Sequence, residues 1–333
     1  MRSAAYGTIS AVLVSVMWGF SFVAAEVVLS VLSPVILAAV RFAIASLFFA
    51  PVIAVEFYRG DRPDGRRLAE FAFLGFISIS IYFVLQYTGV EYAGAGLSAL
   101  LAVGLVPIMT GMTSALLLHE SYGIRQVSGT VLGFIGVALA IAPGLFLKKI
   151  DLDFYVGVLC LMLNAACWAL YSTLSRRLMK RTSKPLLTAS YVTVLGTLLL
   201  IPISATSNWS AVEYLGIEQW LGILYLVLGC SCAAYFLWNF SLSTMEAVRV
   251  TVWQYLEPLV AFIGQAVIFG TIPTATTIAG GVAIIAGALL TNWPLKRPHT
   301  QLNPHRRNHE RLSKVWSKLC QRNRRRTTKC SDA

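Results

Sequence analysis

The feature that most constrains this chain is that it reads the same way twice. Trp18 in the first apolar stretch returns as Trp168 in the sixth, 150 positions on. Pro34 and Pro185, Pro51 and Pro202, Pro107 and Pro258, Gly129 and Gly280, and Gly136 and Gly287 each lie 151 positions apart. So constant an offset means two copies of one unit. Each copy holds five apolar stretches, and a bilayer-crossing helix needs about 20 predominantly apolar residues. Five is odd, so the second copy must enter the membrane upside down. Two inverted copies enclosing a midplane site is the plan of many secondary transporters.

The implied fold is an all-α integral membrane protein of ten transmembrane helices, arranged as two inverted five-helix repeats. Spans are expected near 6–26, 34–56, 68–89, 93–117, 123–143, 153–175, 185–204, 218–241, 247–269 and 274–293. The repeats occupy 1–147 and 148–293, and 294–333 forms a basic tail. Composition agrees: 57% of residues are hydrophobic and only 13% charged, with mean hydropathy +0.70. A soluble domain carries about 25% charged residues. A cleaved signal peptide is an alternative for 1–26, given Arg2 and the apolar run behind it. Trp18 belongs to the repeat, however, and its removal would leave one copy incomplete.

Lysine and arginine in short loops set orientation. With the N-terminus cytoplasmic, the inner loops collect Arg59, Arg62, Arg66, Arg67, Arg125, Arg176, Arg177, Lys180, Arg181, Lys184 and Arg249. The outer loops hold only Lys148 and Lys149, offset by Asp151 and Asp153. Both termini are therefore expected inside, in the cytoplasmic membrane of a prokaryote. The longest inner connections are 57–67 and 176–184. The outer loop 205–217 carries the sequon Asn208-Trp209-Ser210, which matters only in a eukaryotic secretory membrane.

A charged group at the bilayer centre costs roughly 2.5–3.5 kcal/mol by insertion scales, so it must be neutral, paired or facing water. Glu257 lies about 15 Å into the ninth span, near the midplane. It precedes Pro258, whose missing N–H frees a backbone carbonyl one turn back. Discontinuous helices of this kind hold substrate or ions in transporters. Pro107 is the equivalent helix break in the first repeat, but the residue matching Glu257 is Val106, so the carboxylate exists in one half only. The bland alternative for Glu257 is a protonated carboxyl bonded to a neighbouring helix. Gln254 and Asn164 join it as polar candidates for substrate binding. Arg41 is a further candidate for substrate binding; it lies about 10 Å from the outer surface, and the alternative is that it snorkels outward or pairs with Glu26 or Glu91. Trp18, Trp168, Tyr171, Tyr82, Trp238, Trp253 and Tyr255 either line an aromatic cavity or pack helices. Of these, Trp18, Tyr82, Trp168 and Tyr171 are the candidate substrate contacts. Gly129 and Gly133 form a G-x-x-x-G face for close helix packing or a homodimer.

Several local patterns resemble one family, the drug/metabolite transporters of the EamA type. They are Trp18-Gly19-Phe20-Ser21-Phe22, then Pro34 with Arg41-Phe42, then Gly94-Ala95-Gly96-Leu97-Ser98-Ala99-Leu100 with Pro107. His119-Glu120 stands where that family often closes its fourth span, Trp168 with Tyr171 repeats the opening signature, and Leu256-Glu257-Pro258 is similar to its L-E-P. The likeness covers 1–293. It implies ten helices, alternating access and export of amino acids, notably aromatic ones, or other small metabolites; the chain reads as a proton-coupled or facilitative carrier. Gly270-Thr271 departs from the Gly-Glu pair often found there, and the tail is longer than the fold needs. Efflux of drugs or other xenobiotics is the alternative within that class. A non-transporting scaffold or sensor acting through the tail is the alternative outside it.

The residues suggest no enzyme and no cofactor: there is no nucleophile–base set, phosphate loop or zinc motif. Cys230-x-Cys232 has the wrong spacing for zinc, and His305 and His309 sit in the tail. The terminal Cys330-Ser331-Asp332-Ala333 lacks the aliphatic residues of a prenylation box. The tail holds twelve Lys or Arg against Glu310 and Asp332, which is +10 of the chain's net +12. Directly after the last span, such a segment reads as disordered or bound to anionic lipid rather than to nucleic acid.

Overall fold

In a computed structural model of the chain, the described residues are 2–93, 99–120, 122–142, 151–269 and 274–293. Among them there are helices and no strands. That is what a bilayer demands, since backbone groups in hydrocarbon must be satisfied within their own segment. The expected turn at 143–150, with Lys148 and Lys149, the glycines of 94–98 and the tail from 294 lie outside the described residues.

Ten helical spans follow one another among the described residues. The first two are Arg2–Leu29 and Pro34–Tyr58. The third runs through Gly65–Gly75, the π-helical Phe76–Ser80 and Ile81–Ala93. The fourth joins the π-helical Ala99–Val103 to Val106–Leu118, and the fifth is Ile124–Ile141. The sixth and seventh are Leu152–Thr182 and Pro185–Ser204. The eighth runs through Ile217–Tyr225, the π-helical Leu226–Ala233 and Ala234–Thr244. The ninth joins Ala247–Thr251, a 3₁₀ turn Val252–Tyr255 and Leu256–Phe269; the tenth is Ala275–Asn292. Eight of these are long and apolar enough to cross a membrane, and Ile124–Ala140 is a shorter apolar helix. The chain is an integral membrane protein of the expected class.

One boundary is corrected. The basic stretch 176–184 is not a loop, because the sixth helix continues to Thr182 and ends on Ser183 in the left-handed region at φ 51°. Arg176, Arg177, Lys180 and Arg181 sit on its last two turns, where cations complement the partial negative charge of a helix C-terminus.

The first span has Gly7 packed against Thr244 and Met245, at the end of the bundle where the sixth span finishes. The two repeat-equivalent spans therefore run in opposite directions. Neighbour relations obey the same inversion. The first span packs on the eighth and ninth, and the sixth packs on the third and fourth. The second packs on the seventh and the fifth on the tenth, each against its own equivalent. At the last contact Gly129 meets Gly287 and Gly136 meets Gly280, the reciprocal pattern of a two-fold interface. A Cβ on Gly280 would stand 2.5 Å from the Gly136 carbonyl oxygen, so only glycine permits the approach. Gly133 faces the Tyr255 ring, so the Gly129/Gly133 face is used inside the chain.

The burial pattern is that of a protein in lipid. Leu47, Leu116 and Val282 are among the exposed apolar side chains, while Ser15, Asn164, Ser172 and Asn239 are fully buried.

Candidate functional site

Three pairs of repeat equivalents touch each other. Trp18 and Trp168 meet edge to face with ring centroids 5.3 Å apart. Ser46 bonds Thr197 at 2.9 Å, and the Tyr255 hydroxyl donates to the Gly104 carbonyl at 3.0 Å. Under a two-fold relation a residue can touch its own equivalent only on the axis. These pairs therefore trace the axis through the bundle, and the tryptophan pair marks its centre. Inverted repeats place substrate sites at their interface near the membrane midplane.

Around this point aromatic rings converge from four spans. Trp18 and Trp168 each pack against Trp238, at 5.3 and 5.7 Å, and against Tyr235. Tyr82 lies 5.2 Å from Trp168, and Tyr171 lies 4.9 Å from it. Of the expected aromatic set, Trp18, Tyr82, Trp168, Tyr171 and Trp238 are thus together. Tyr255 is not: it packs on Gly133 and bonds the Gly104 and Thr130 carbonyls. Among the described residues Trp253 joins no ring contact and its indole N–H has no partner.

The polar candidates enter from the sides. Trp168 Nε1 donates to Gln254 Oε1 at 3.1 Å, and Gln254 Nε2 donates to Glu257 Oε1 at 3.1 Å. The ninth helix restarts at Leu256 after its 3₁₀ turn, so Glu257 and Pro258 lie in a first turn, where a missing N–H breaks no bond. The fourth span is broken at the equivalent place, with Val106 opening its helix and Pro107 beside it. Asn164 Nδ2 donates to the Tyr82 carbonyl at 2.8 Å, while its Oδ1 is buried and unpartnered. Trp18 Nε1 donates to the Cys230 carbonyl at 3.0 Å.

Arg41 does not snorkel. It is 9% exposed, donates from Nε to Ser231 Oγ at 2.7 Å, and its guanidinium lies over the Phe42 and Phe83 rings at 5.0 and 5.6 Å. The π-helical segment of the eighth span puts Ser231 there. The side chains of Glu26 and Glu91 lie outside the described ones, and no described carboxylate is within ion-pair distance of Arg41. Glu257 is 5% exposed and likewise has no described cation beside it. The two charges approach Trp18 from different sides. Gly19 abuts the Glu257 backbone, and the Cys230 that accepts from Trp18 adjoins the Ser231 that holds Arg41.

Tyr235, Ser231, Phe83 and Asn239 were not among the expected residues. Asn239 donates to the Tyr171 hydroxyl at 3.1 Å and accepts a short bond from Ser175, which fixes the Tyr171 ring. The sequence signal for Tyr235 and Asn239 is their spacing of four on one helix, flanking Trp238.

A description of the EamA-like transporter family matches residues 5–142 and again 155–293. The chain belongs to the EamA-like transporter family. It is a multi-pass membrane transporter of that family. A transporter of uncharacterized function from Bacillus subtilis, YyaM, is 29% identical over 287 residues, covering 85% of this chain and 92% of its own. A probable amino-acid metabolite efflux pump of Salmonella typhimurium is 25% identical, covering 83% and 91%. A probable terminal-alkyne amino-acid exporter of Streptantibioticus cattleyicolor is 26% identical, covering 84% and 91%. A crystal structure with 19% identity shares the fold, with a TM-score of 0.73 over 86% of this chain and 96% of the other.

Proposed function

We propose that this EamA-like transporter exports small organic zwitterions, amino acids or close metabolites of them, by alternating access around the Trp18–Trp168 pair. The observation that carries this reading is that a buried guanidinium, Arg41, and a buried carboxyl, Glu257, both lie near the tryptophan pair with no counter-ion among the described residues. A buried charge without a partner is costly. A zwitterion supplies both partners at once, its carboxylate to Arg41 and its ammonium to Glu257. The rings of Trp18, Tyr82, Trp168, Tyr171 and Trp238 then favour an apolar or aromatic side chain. Ammonium groups also gain from aromatic faces.

Glu257 is the group through which transport couples to protons, and Pro107 and Pro258 mark the breaks about which the two halves rearrange. By the positive-inside rule the basic end faces the cytoplasm of the cell membrane, with both termini there. The names of the Salmonella and Streptantibioticus relatives support the amino-acid reading. The aromatic cluster alone would also suit a lipophilic drug, but a drug does not answer both charges.

Proteoliposomes containing the purified chain test the proposal with radiolabelled phenylalanine, tryptophan, leucine and a cationic dye. Saturable amino-acid flux, with competition among the amino acids, is expected. Saturable flux of the dye alone would replace the reading with xenobiotic efflux, and no saturable flux of any solute would overturn it.

A further inference from the structure

The basic end of the bundle contains an ion cluster that the transport site does not use. Glu120 follows the fourth span directly after His119, which ends that helix in the left-handed region at φ 51°. The turn aims the carboxylate back into the bundle, where its side chain is only 5% exposed. Oε1 accepts from Arg176 Nε at 3.1 Å and from Lys180 Nζ at 2.8 Å. Oε2 accepts from the Ala247 backbone N–H at 3.0 Å, at the start of the ninth span. Arg176 also donates to the Leu242 carbonyl at 2.6 Å, at the end of the eighth. One carboxylate, directly and through Arg176, thus ties together the ends of four spans, one from the first repeat and three from the second.

This cluster lies below the central rings. On the sixth helix Asn164, Trp168, Ser172, Arg176 and Lys180 are spaced by four, so they stack on neighbouring turns. The stripe leads from the aromatic centre to Glu120. Between them Ser172 Oγ is fully buried and has no hydrogen-bond partner among the described residues, and the same holds for Thr110 Oγ1 on the facing fourth span. Unpartnered buried hydroxyls are unusual, and here they line the interval between site and ion cluster.

Inversion would give the opposite end the same device, but the sequence does not. The residue equivalent to Glu120 is Thr271, and in the Trp18–Trp168 register Glu26 and Ser30 stand in the places of Arg176 and Lys180. We propose that Glu120, Arg176 and Lys180 form an ionic latch closing the path between the central site and the basic end, a latch the opposite end lacks. The asymmetry biases the empty carrier toward the state closed at the basic end. Glu120 is a positioning residue, since it holds helix ends and touches no solute. The inference rests on the alternating-access reading above, but its test needs no substrate.

The test uses the full chain with its native cysteines replaced by serine and one new cysteine, Ser172→Cys, in vesicles of defined sidedness. A membrane-impermeant maleimide is added from the basic face. Labelling should be slow with the latch intact and about ten-fold faster in Glu120→Gln, which keeps the bond to Ala247 but loses both ion pairs. Lys180→Gln removes a half-exposed partner and should accelerate labelling by about three-fold. Added salt should speed labelling when Glu120 is present and have no effect in Glu120→Gln. Ser204→Cys, buried near the opposite end, should label no faster in either variant. Acceleration at both cysteines would mean general loosening and would overturn the latch, as would unchanged labelling at Ser172→Cys. Should Glu120→Gln fail to insert, Lys180→Gln and the salt dependence decide alone. A latch that responds as expected in a protein without amino-acid flux would sink the substrate proposal and leave the gate standing.

Discussion

Ser46 donates a hydrogen bond of 2.9 Å to Thr197, the residue that occupies its own place in the second repeat. Thr197 is further held against the Phe42 carbonyl at 3.2 Å, so the second and seventh spans are joined at their middles by polar groups. The contact lies on the pseudo-two-fold axis, and its neighbours on that axis are the tryptophan pair and the Tyr255–Gly104 bond. These three contacts on the axis are polar or aromatic, in a protein whose exposed surface carries many aliphatic side chains.

The first prediction concerns this bond. Hydrogen bonds between helices in a bilayer contribute about 0.6 kcal/mol on average, since the unfolded chain also finds partners. Ser46→Ala and Thr197→Val should each lower the thermal midpoint in detergent slightly. The double variant should lose no more than the worse single one, because both remove the same contact. Full additivity would show that the two residues act independently.

Glu257→Gln is expected to insert and fold, since the amide keeps the shape and can still meet Gln254. It removes the group that ionises. Flux should lose its pH dependence while exchange of solute persists. A pH profile identical to that of the unchanged protein would reduce Glu257 to a structural role.

Arg41 distinguishes a carboxylate site from an apolar one. Its guanidinium is planar, lies over two rings and bonds Ser231, a geometry that lysine does not reproduce. Arg41→Lys should raise the KM for amino acids by about ten-fold, and Arg41→Gln by more, with smaller effects on solutes lacking a carboxylate. Equal losses for both solute types would mean that Arg41 only packs.

Much of this architecture was legible in the sequence, for identifiable reasons. Pro107 and Pro258 announce breaks because proline cannot continue a helix, and both breaks are there. The Trp18 and Trp168 match exposed the repeat and hence the inversion. The π-helical turns at Phe76–Ser80 and Leu226–Ala233 carry no such mark. They lie at equivalent places in the third and eighth spans, in apolar runs that hydropathy reads straight through. Ser231 and Tyr235, which depend on that local unwinding, were missed with them. Arg41 was legible as a candidate but its contacts with Ser231, Phe42 and Phe83 were not, because depth along a helix does not say which way a side chain faces. Glu120 was visible as the end of a span, but its partners lie 56 and 60 positions away on a stretch read as loop.

The short connection after the second span makes a prediction about pH. Lys184 Nζ donates to Asp61 at 2.6 Å and to Glu56 at 3.0 Å, and Arg67 also reaches Asp61. The Lys184 ammonium holds the Asp61 carboxyl below its ordinary value of 3.8. A depressed carboxylate stabilises the fold above its unfolded pKa, and that contribution disappears as pH falls through the lower folded value. The tie between the two halves is thus intact at neutral pH and lost only in strong acid. Lys184→Met should therefore lower the thermal transition slightly at neutral pH, as the loss of an exposed ion pair does, and not at all in acid below the folded Asp61 value, where that carboxyl is protonated with or without the lysine. A loss of the same size in acid would assign the effect of the substitution elsewhere.

The last prediction tests the two-fold relation through its tightest contact. A Cβ on Gly136 would lie 2.8 Å from the Gly280 carbonyl oxygen, and a Cβ on Gly280 would lie 2.5 Å from the Gly136 carbonyl oxygen. In both cases the obstruction is backbone, which cannot rotate away as a side chain can. Gly136→Ala and Gly280→Ala must therefore push the fifth and tenth helices apart. Each should cost about 1–3 kcal/mol, the usual penalty of overpacking. Because the two glycines are repeat equivalents of Gly287 and Gly129, the matching substitutions there should cost similar amounts. Gly229→Ala is the control: its nearest neighbour would be the Tyr225 ring at 3.4 Å, an ordinary contact. That variant should stay within about 0.5 kcal/mol of the unchanged protein. Thermal unfolding of the five variants in detergent provides the comparison. Four similar losses against one silent change are expected, whereas a large loss at only one partner of each pair would refute a reciprocal interface between the repeats.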